Sequence, residues 1–238
     1  MRSALESPPS VSAASGTASV LRLVWQDVET RQFVEVGQLH ELTDGAFTFA
    51  YTKGADHPRF RPLAEFPDRH AVYQSSGLPA FFGNRVMSHH RESFPQYCRW
   101  LGLSEVSTPM EILARTGGAR VTDTFHVVDS FSDHDGQRRG RFFASGVRYI
   151  VGADERLRKL RPGQELVLRQ DPLNPVNPLA ILLDVTFEQP VGWVPDWLLT
   201  DVHAMFAVGS VKVSVAQVNV DAPTHLRLMC LLETASSR

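Results

Sequence analysis

The C-terminal half of the chain consists largely of short apolar segments separated by turn residues. The segments are RFFASGVRYIVG, QELVLRQ, LAILLDV, VGWVP and VKVSVAQVNV, between residues 141 and 220. Several short strands at this spacing are typical of a small β-barrel, in which a sheet curls to enclose its own core. One helix is predicted within the series, in the segment PDWLLTDVHAMFA that begins at Pro195.

The N-terminal half has a different pattern, in which antiparallel strands precede helices. Two apolar runs lie within residues 20–42, and an Asp-Gly turn at 44–45 leads into an alternating strand at 47–51. A helix is predicted near 79–101 after a proline-rich stretch. A second helix is predicted to open at Thr108, and the strand 124–128 closes the module.

The predicted second helix has a complete set of end signals. Thr108 stands at the N-cap, Pro109 at the first helical position and Glu111 three residues after the cap. This spacing lets the side chains of the cap and the glutamate satisfy backbone N–H groups reciprocally. Gly117 and Gly118 follow as residues that tolerate the left-handed conformation of a helix C-terminus.

The sequence therefore predicts an α+β fold. An N-terminal module of antiparallel strands plus helices is followed by a small OB-like or SH3-like β-barrel with one helix. The predicted division is a flexible tail at 1–18, the first module at 19–129, a linker or hairpin loop at 130–141 and the barrel at 142–238. The tail is assigned because it is rich in Ser, Ala and Pro and lacks any apolar period.

Composition narrows the classes of protein that remain. Cys98 and Cys230 lie far apart in apolar runs, as buried free thiols of a reducing compartment do. Neither a membrane-spanning apolar stretch nor the apolar region of a secretory signal is present, so a cytoplasmic protein without a membrane partner is predicted. The formal charge of -2 requires any nucleic-acid contact to rest on a local basic patch.

No recognisable catalytic motif occurs. The chain lacks a Walker loop, a Gly-x-Ser-x-Gly elbow, a dinucleotide fingerprint and a Cys-x-x-Cys pair. The adjacent His89 and His90 cannot share one helix face, so surface histidines are a better interpretation than metal ligands. We predict a protein that is not an enzyme and has no cofactor; an active site dispersed along the chain is the alternative.

The order of motifs between Gly146 and Pro195 resembles the HIRAN domain. The motifs are Arg148-Tyr149, Gly163, Asp171-Pro172-Leu173-Asn174-Pro175, Ala180-Ile181 and Gly192-Trp193-Val194-Pro195. The resemblance implies an OB-like fold that binds single-stranded DNA, with Arg148 at a phosphate, Tyr149 as a stacking platform in the first strand and Asn174 shaping the pocket. Stacking of a base on an aromatic ring contributes about 1 to 3 kcal/mol.

The chain departs from the DNA-binding members of that family in two places. Val176-Asn177 replaces a Tyr-Asp pair, and Trp193 and Asp196 replace a His and a Lys. Residues 146–238 hold nine Lys plus Arg and ten Asp plus Glu, a balance of 9 - 10 = -1, so no broad basic surface exists. The predicted nucleic-acid-binding residues are Arg148, Tyr149, Arg156, Arg158, Lys159, Arg161, Asn174 and Trp193, with Arg138, Arg139 and Arg141 as possible additions. A solvated turn is the alternative interpretation of residues 156–161.

Residues 21–128 resemble the N-terminal subdomain of HipA-type kinase toxins. The matching residues are Val36-Gly37-Gln38-Leu39, Asp44-Gly45, Phe47, Phe49, Tyr51, Pro62-Leu63, Leu78 to Asn84, Leu101-Gly102-Leu103, Ile112-Leu113 and Gly117-Gly118. The kinase core is missing, so the resemblance implies a companion or antitoxin-like protein whose partner is a HipA-type kinase or its antitoxin. The predicted partner-binding residues are Phe82, Asn84, His89 and His90; the alternative for Phe82 is a place in the core.

Overall fold

The computed structural model describes residues 17–120, 122–129, 132–134 and 137–234, which form two antiparallel sheets and a few helices. The first sheet contains, in spatial order, β4 (Val72–Ser75), β3 (Phe47–Tyr51), β2 (Phe33–Leu42), β1 (Thr17–Gln26) and β5 (Phe125–Asp129). The second contains β10 (Pro190–Trp193), β9 (Ile181–Asp184), β8 (Glu165–Gln170), β11 (Val211–Val218), β12 (Leu228–Thr234), β7 (Gln137–Phe143) and β6 (Ser132–His134). The helices are α1 (Ala80–Gly83), α2 (Phe94–Leu101), α3 (Pro109–Thr116), α4 (Ala153–Lys159) and α5 (Leu199–Val208).

The second sheet curls until its two sides meet. Ser145, just after β7, and Trp193, at the end of β10, exchange backbone hydrogen bonds with N···O distances of 2.9 and 3.0 Å. This bridge gives the C-terminal half a barrel-like shape around a single apolar core. The predicted α+β class and the barrel-like architecture are therefore confirmed.

The predicted tail and linker fall partly on residues that the structure does not describe. Residues 1–16 lie outside the described residues, whereas Thr17 and Ala18 begin β1, where Thr17 pairs with Leu42. Within the predicted linker, β6 and β7 pair as an antiparallel hairpin, and residues 130–131 and 135–136 lie outside the described part. The domain boundaries themselves stay a prediction.

The helix predicted at Thr108 forms as its end signals indicate. Thr108 Oγ1 accepts the N–H of Glu111 at 3.2 Å, and Glu111 Oε2 accepts the N–H of Thr108 at 2.7 Å. Gly117 ends α3 in the left-handed conformation, with φ of 73°. The single helix predicted at 79–101 is wrong, because α1 ends after one turn and ten residues separate Gly83 from the start of α2 at Phe94.

Two further predictions for the C-terminal half need correction. The strand expected to carry Arg148 and Tyr149 is a 3₁₀ turn at Val147–Tyr149, preceded by Gly146 with φ of 67°. A Cβ atom at position 146 would lie 2.4 Å from the Trp193 ring, so only glycine fits beside that indole. A solvated turn was the alternative interpretation of residues 156–161, but residues 153–159 form α4, a second helix in this half. Acidic residues lie in its first turn and basic residues in its last turn, and both interact favourably with the helix dipole.

Strand β1 is covered on both of its faces. Leu21, Leu23 and Trp25 pack into the aromatic core of the N-terminal half. The alternate residue Val24 packs into the barrel core, and the neighbouring Arg22 forms an ion pair with Asp201 of α5, with Nη1 and Oδ1 3.2 Å apart. Because side chains alternate along a strand, one strand serves two cores.

Strand β5 divides its side chains in the same way. Val127 packs into the N-terminal core and Val128 into the barrel core. His126, on the barrel side, stacks on Trp197 with ring centroids 4.3 Å apart and an interplanar angle of 16°. The two halves of the chain therefore share a wall made of β1 and β5.

The end of α2 provides a second connection between the halves. Gln217 and Asn219, from the end of β11, donate to the carbonyl oxygens of Arg99 and Trp100 at 2.7 and 2.8 Å. Arg115 of α3 donates to the carbonyl of Leu101 at 3.1 Å. Side chains thus bind the last carbonyls of α2, which have no partner within the helix.

His126 makes stability depend on pH. Burial and, to a smaller extent, the charge of Arg85 lower its pKa, which the charge of Asp123 opposes, so that it falls from 6.5 to about 4. The unfolded chain therefore binds the proton more readily between these values, so stability is complete above about pH 6.5 and falls as the pH drops towards 4.

The unfolding free energy of the wild type should fall between pH 7 and about pH 4. We expect His126→Phe, which keeps an aromatic ring on Trp197, to lose about 2 kcal/mol less over this range. Urea unfolding at both pH values measures the difference. His90→Gln, at an exposed histidine, is the control. An unchanged pH dependence in His126→Phe would show that other groups cause the acid sensitivity.

Candidate functional site

Tyr149 presents an exposed aromatic ring with a cation attached to it. The residue is 68% exposed, although Val147 in the same turn is buried and anchors the segment. The guanidinium of Arg148 lies 4.6 Å from the centre of the Tyr149 ring and donates to its hydroxyl. An accessible ring beside an arginine can stack on a base while the arginine reaches a phosphate.

The loop between β8 and β9 is held in place by a shared carboxylate. Asp171 Oδ2 accepts Nε1 of Trp193 at 3.0 Å and Nδ2 of Asn174 at 2.9 Å. Asn174 Oδ1 accepts the N–H groups of Val176 and Asn177 at 3.0 and 3.1 Å. Asn174 therefore shapes the loop, and its amide is already engaged there. Trp193 in turn lies against Gly146, which links the loop to the turn that carries Tyr149.

The same loop displays aliphatic side chains to solvent. Leu173 is 91% exposed, and Val176 and Leu179 are also exposed. Asn177 fixes the backbone beneath them: its Oδ1 accepts the Leu179 N–H at 3.0 Å, and its Nδ2 lies 3.4 Å from Asp196 Oδ1. Burial raises the pKa of Asp196, an effect that the Asn177 hydrogen bond and Arg31 oppose. Apolar side chains on a rigid loop are typical of a contact surface.

The four predicted cations of residues 156–161 have different roles. Arg156 donates from Nε to the Pro190 carbonyl at 2.9 Å and from Nη2 to the Val151 carbonyl at 2.7 Å. Arg161 donates to carbonyls at the end of α4, including that of Leu160 at 3.0 Å. Arg158 and Lys159 are exposed, and their side chains make no hydrogen bond or ion pair within the part of the chain that the structure describes. Helix α4 contacts the Val147–Tyr149 turn, and these two cations lie in its last turn.

The arginines of β7 do not extend this patch. Arg139 forms an ion pair with Glu233 at 3.0 Å. Arg141 lies near Arg115 of α3, and the two line the same clefts, to which no residue of α4 contributes. Arg139 is therefore paired with a carboxylate on β12, and Arg141 lies with Arg115 at clefts that α4 does not line.

The residues predicted to bind a protein partner divide into two groups. Phe82 is fully buried among aromatic rings, 5.7 Å from Phe49 between centroids, so its assignment to a docking surface is wrong. Helix α1 directs this ring into the core of the N-terminal half. Asn84, His89 and His90 are exposed, and Asn84 and His89 line a cleft of about 660 Å³ between the loop after α1 and the start of α3.

No protein-family model and no curated protein matches this chain. Solved structures similar to it include the HIRAN domain of human HLTF, with 17% identity and a TM-score of 0.32, over 41% of this chain and 74% of that one. A protein from Lactobacillus plantarum matches with 19% identity and a TM-score of 0.32, over 42% of this chain and 100% of that one. The comparisons give no support to the HipA resemblance.

No group of three His, Cys, Asp or Glu side chains within the described residues could hold a metal ion. No helix there combines the length and the apolar character needed to cross a bilayer.

Sequence reasoning missed the carboxylate that organises the loop. Asp171 was recognised as part of a motif, but its role as joint acceptor for Trp193 and Asn174 depends on the barrel closing. The one local signal is an acidic residue directly before Pro-x-Asn-Pro, a pattern in which side chains bind nearby backbone.

Asn174→Ala should loosen the loop without unfolding the barrel. The variant removes the acceptor of the Val176 and Asn177 amides, so we expect their hydrogen exchange to quicken by about tenfold or more, as loss of about 1 to 3 kcal/mol predicts. NMR-detected exchange measures this directly. Leu173→Ala, in the same loop but at a solvent-exposed tip, is the control; equal exchange in both variants would contradict the assigned role.

Proposed function

We propose that this chain is a non-catalytic binding protein that holds single-stranded DNA on its tyrosine surface, defined as Tyr149, Arg148, Arg158 and Lys159. The observation that carries the proposal is the exposed Tyr149 ring with the Arg148 guanidinium against it. Stacking on an aromatic ring tolerates any base, so this surface would read shape and charge rather than sequence.

The cations of the tyrosine surface suit contacts to a phosphate backbone. Arg158 and Lys159 have no competing carboxylate partner within the described residues, and Asp154 on the same helix is paired with Arg227 at 2.6 Å. With three cations contacting phosphates, the logarithm of the binding constant should fall with the logarithm of salt concentration with a slope of about -2. Stacking would supply the part of the affinity that salt does not screen.

The carboxylates near Trp193 favour binding of the single-stranded DNA along α4 rather than along the loop between β8 and β9. Asp171 and Asp196 flank the loop that carries Asn174 and Asn177, and negative charges there oppose a phosphate. Val176 offers an aliphatic side chain, and both groups of the Asn177 amide are already engaged. We therefore propose that binding does not need a free 3′ end.

Fluorescence anisotropy with labelled single-stranded DNA tests this proposal at two salt concentrations. Tyr149→Ala should weaken binding by about tenfold, as loss of one stacked base predicts, whereas Tyr149→Phe should retain it. Arg158→Gln should weaken binding and reduce the salt slope, and Arg120→Gln, at an exposed site in the other half, should do neither. Absence of binding at low salt, or equal affinity of all variants, would exclude the proposal; a requirement for a free 3′ end would exclude the proposed path.

A second candidate function, docking onto a HipA-type kinase or its antitoxin, is favoured by the cleft at Asn84 and His89. We propose that a separately encoded partner binds there, because the cleft is open and its rim includes Val106, which is 90% exposed. Exposed polar and aliphatic groups together are typical of transient protein interfaces.

Co-expression and co-purification with a separately encoded HipA-type kinase test the second function. Val106→Asp and Asn84→Arg should each weaken the complex by about tenfold or more, since they place charge into the interface. Val72→Asp, at an exposed valine of edge strand β4, is the matched control. A complex that survives both cleft variants, or that fails to form with wild type, would contradict docking at this cleft.

A further inference from the structure

A cavity of about 210 Å³ lies where the two halves of the chain meet. Its walls come from α3 and β5 on one side and from β7 and the segments around Trp197 and His225 on the other. Arg141, a possible addition to the predicted DNA-binding residues, lines it, but no residue of the tyrosine surface or of the cleft at Asn84 and His89 does. The cavity is therefore distinct from both of those surfaces.

Much of the cavity lining is apolar. Phe142, Trp197, Leu198 and Leu226 contribute to it. The stack on His126 holds the Trp197 ring, so the wall is preformed. Next to it, Gly117 has a left-handed conformation and no side chain, and a Cβ atom there would lie 3.9 Å from the Trp197 ring. Rigid apolar walls of this kind suit a compact ring or a short aliphatic body.

Two arginines also contribute to the lining of the cavity. Arg115 and Arg141 both line it, and both also line a more open cleft of about 340 Å³ that leads outwards. Burial lowers the pKa of Arg115, and the positive charge of Arg141 lowers it further, while Asp129 and Glu111 oppose this. The two arginines therefore repel one another in a partly desolvated place. An anion between them would relieve that repulsion.

The charges of the lining leave room for one anionic group. Arg115 and Arg141 contribute +2 and Asp129 contributes -1, and burial lowers the pKa of His225, the remaining titratable group. The sum of these charges is +1 while His225 is neutral. One carboxylate or phosphate group would balance it. Nη1 of Arg115 already donates to the Leu101 carbonyl, so the oxyanion would be bound by the other N–H groups of Arg115 and by the guanidinium of Arg141.

We propose that this cavity binds a small organic anion. Its carboxylate or phosphate group lies between Arg115 and Arg141, and its apolar body packs against Phe142 and Trp197. The size agrees with this, because a cavity of about 150 Å³ accommodates benzene and this one has space for a ring plus one acidic group. Since both halves supply walls, an occupant also stabilises their packing against each other.

Titration calorimetry and thermal unfolding of the whole protein test the site with four probes. Benzoate and phenyl phosphate each combine a ring with one of the two possible acidic groups. Benzamide has the ring without the negative charge, and inorganic phosphate has the negative charge without the ring. We expect saturable binding of benzoate or phenyl phosphate with a raised Tm, and binding at least about tenfold weaker for benzamide and inorganic phosphate. The tighter of the first two identifies the acidic group.

Two variants assign binding to this cavity. Arg115→Met and the surface variant Arg141→Gln should each weaken binding of the organic anion by about tenfold. Arg141→Gln keeps the test valid if Arg115→Met fails to fold, since Arg141 is exposed and Arg115 also supports the end of α2. Arg138→Gln, on the same strand, is the control. No binding of either organic anion, equal binding of benzamide, or undiminished binding in Arg141→Gln would overturn the proposal.

Discussion

The burial of β1 and β5 on both faces is the constraint on which the rest of the molecule depends. A strand with one solvent-exposed face belongs to a single core. In β1, by contrast, Leu23 and Val24 pack into two different cores. Removing either core would expose apolar side chains of this wall to water, such as Leu23 on one face and Val24 on the other. The ion pair between Arg22 and Asp201 fixes the position of α5 against β1, because a partly buried charge needs its partner in place. The halves therefore stabilise each other, although each has its own sheet.

The closure of the barrel transmits this constraint to the candidate DNA site. The bridge between Ser145 and Trp193 fixes the indole, and the indole requires glycine at 146. That glycine turns the chain so that Val147 enters the core and Tyr149 points to solvent. The opposite edge of the same indole binds Asp171, so one tryptophan positions both the exposed ring and the loop. Tyr149 is thus held by rigid elements, which reduces the entropy lost when a ligand binds.

Local signals in the sequence were sufficient for local structure. The capping box at Thr108, the Asp-Gly turn and the alternating strands were predicted because each depends on a few neighbouring residues. The turn at Gly146 was missed because its cause is a ring 47 positions away. Helix α4 was missed because its seven residues carry little apolar period. The sequence could not decide between a buried and an exposed Phe82, since buried and exposed aromatic residues occur in the same local pattern.

The arginines show most clearly why site residues are harder to predict than the fold. Several of them bind carbonyls or carboxylates inside the structure and are part of its framework: Arg22, Arg59, Arg85, Arg156, Arg161 and Arg169. A count of charges treats these like Arg158, although a guanidinium that already binds a carbonyl offers fewer donors to a phosphate. The usable positive charge on the tyrosine surface is therefore smaller than the run at 156–161 indicates. With few free cations beside an exposed ring, contact with a nucleic acid there would depend more on stacking than on charge.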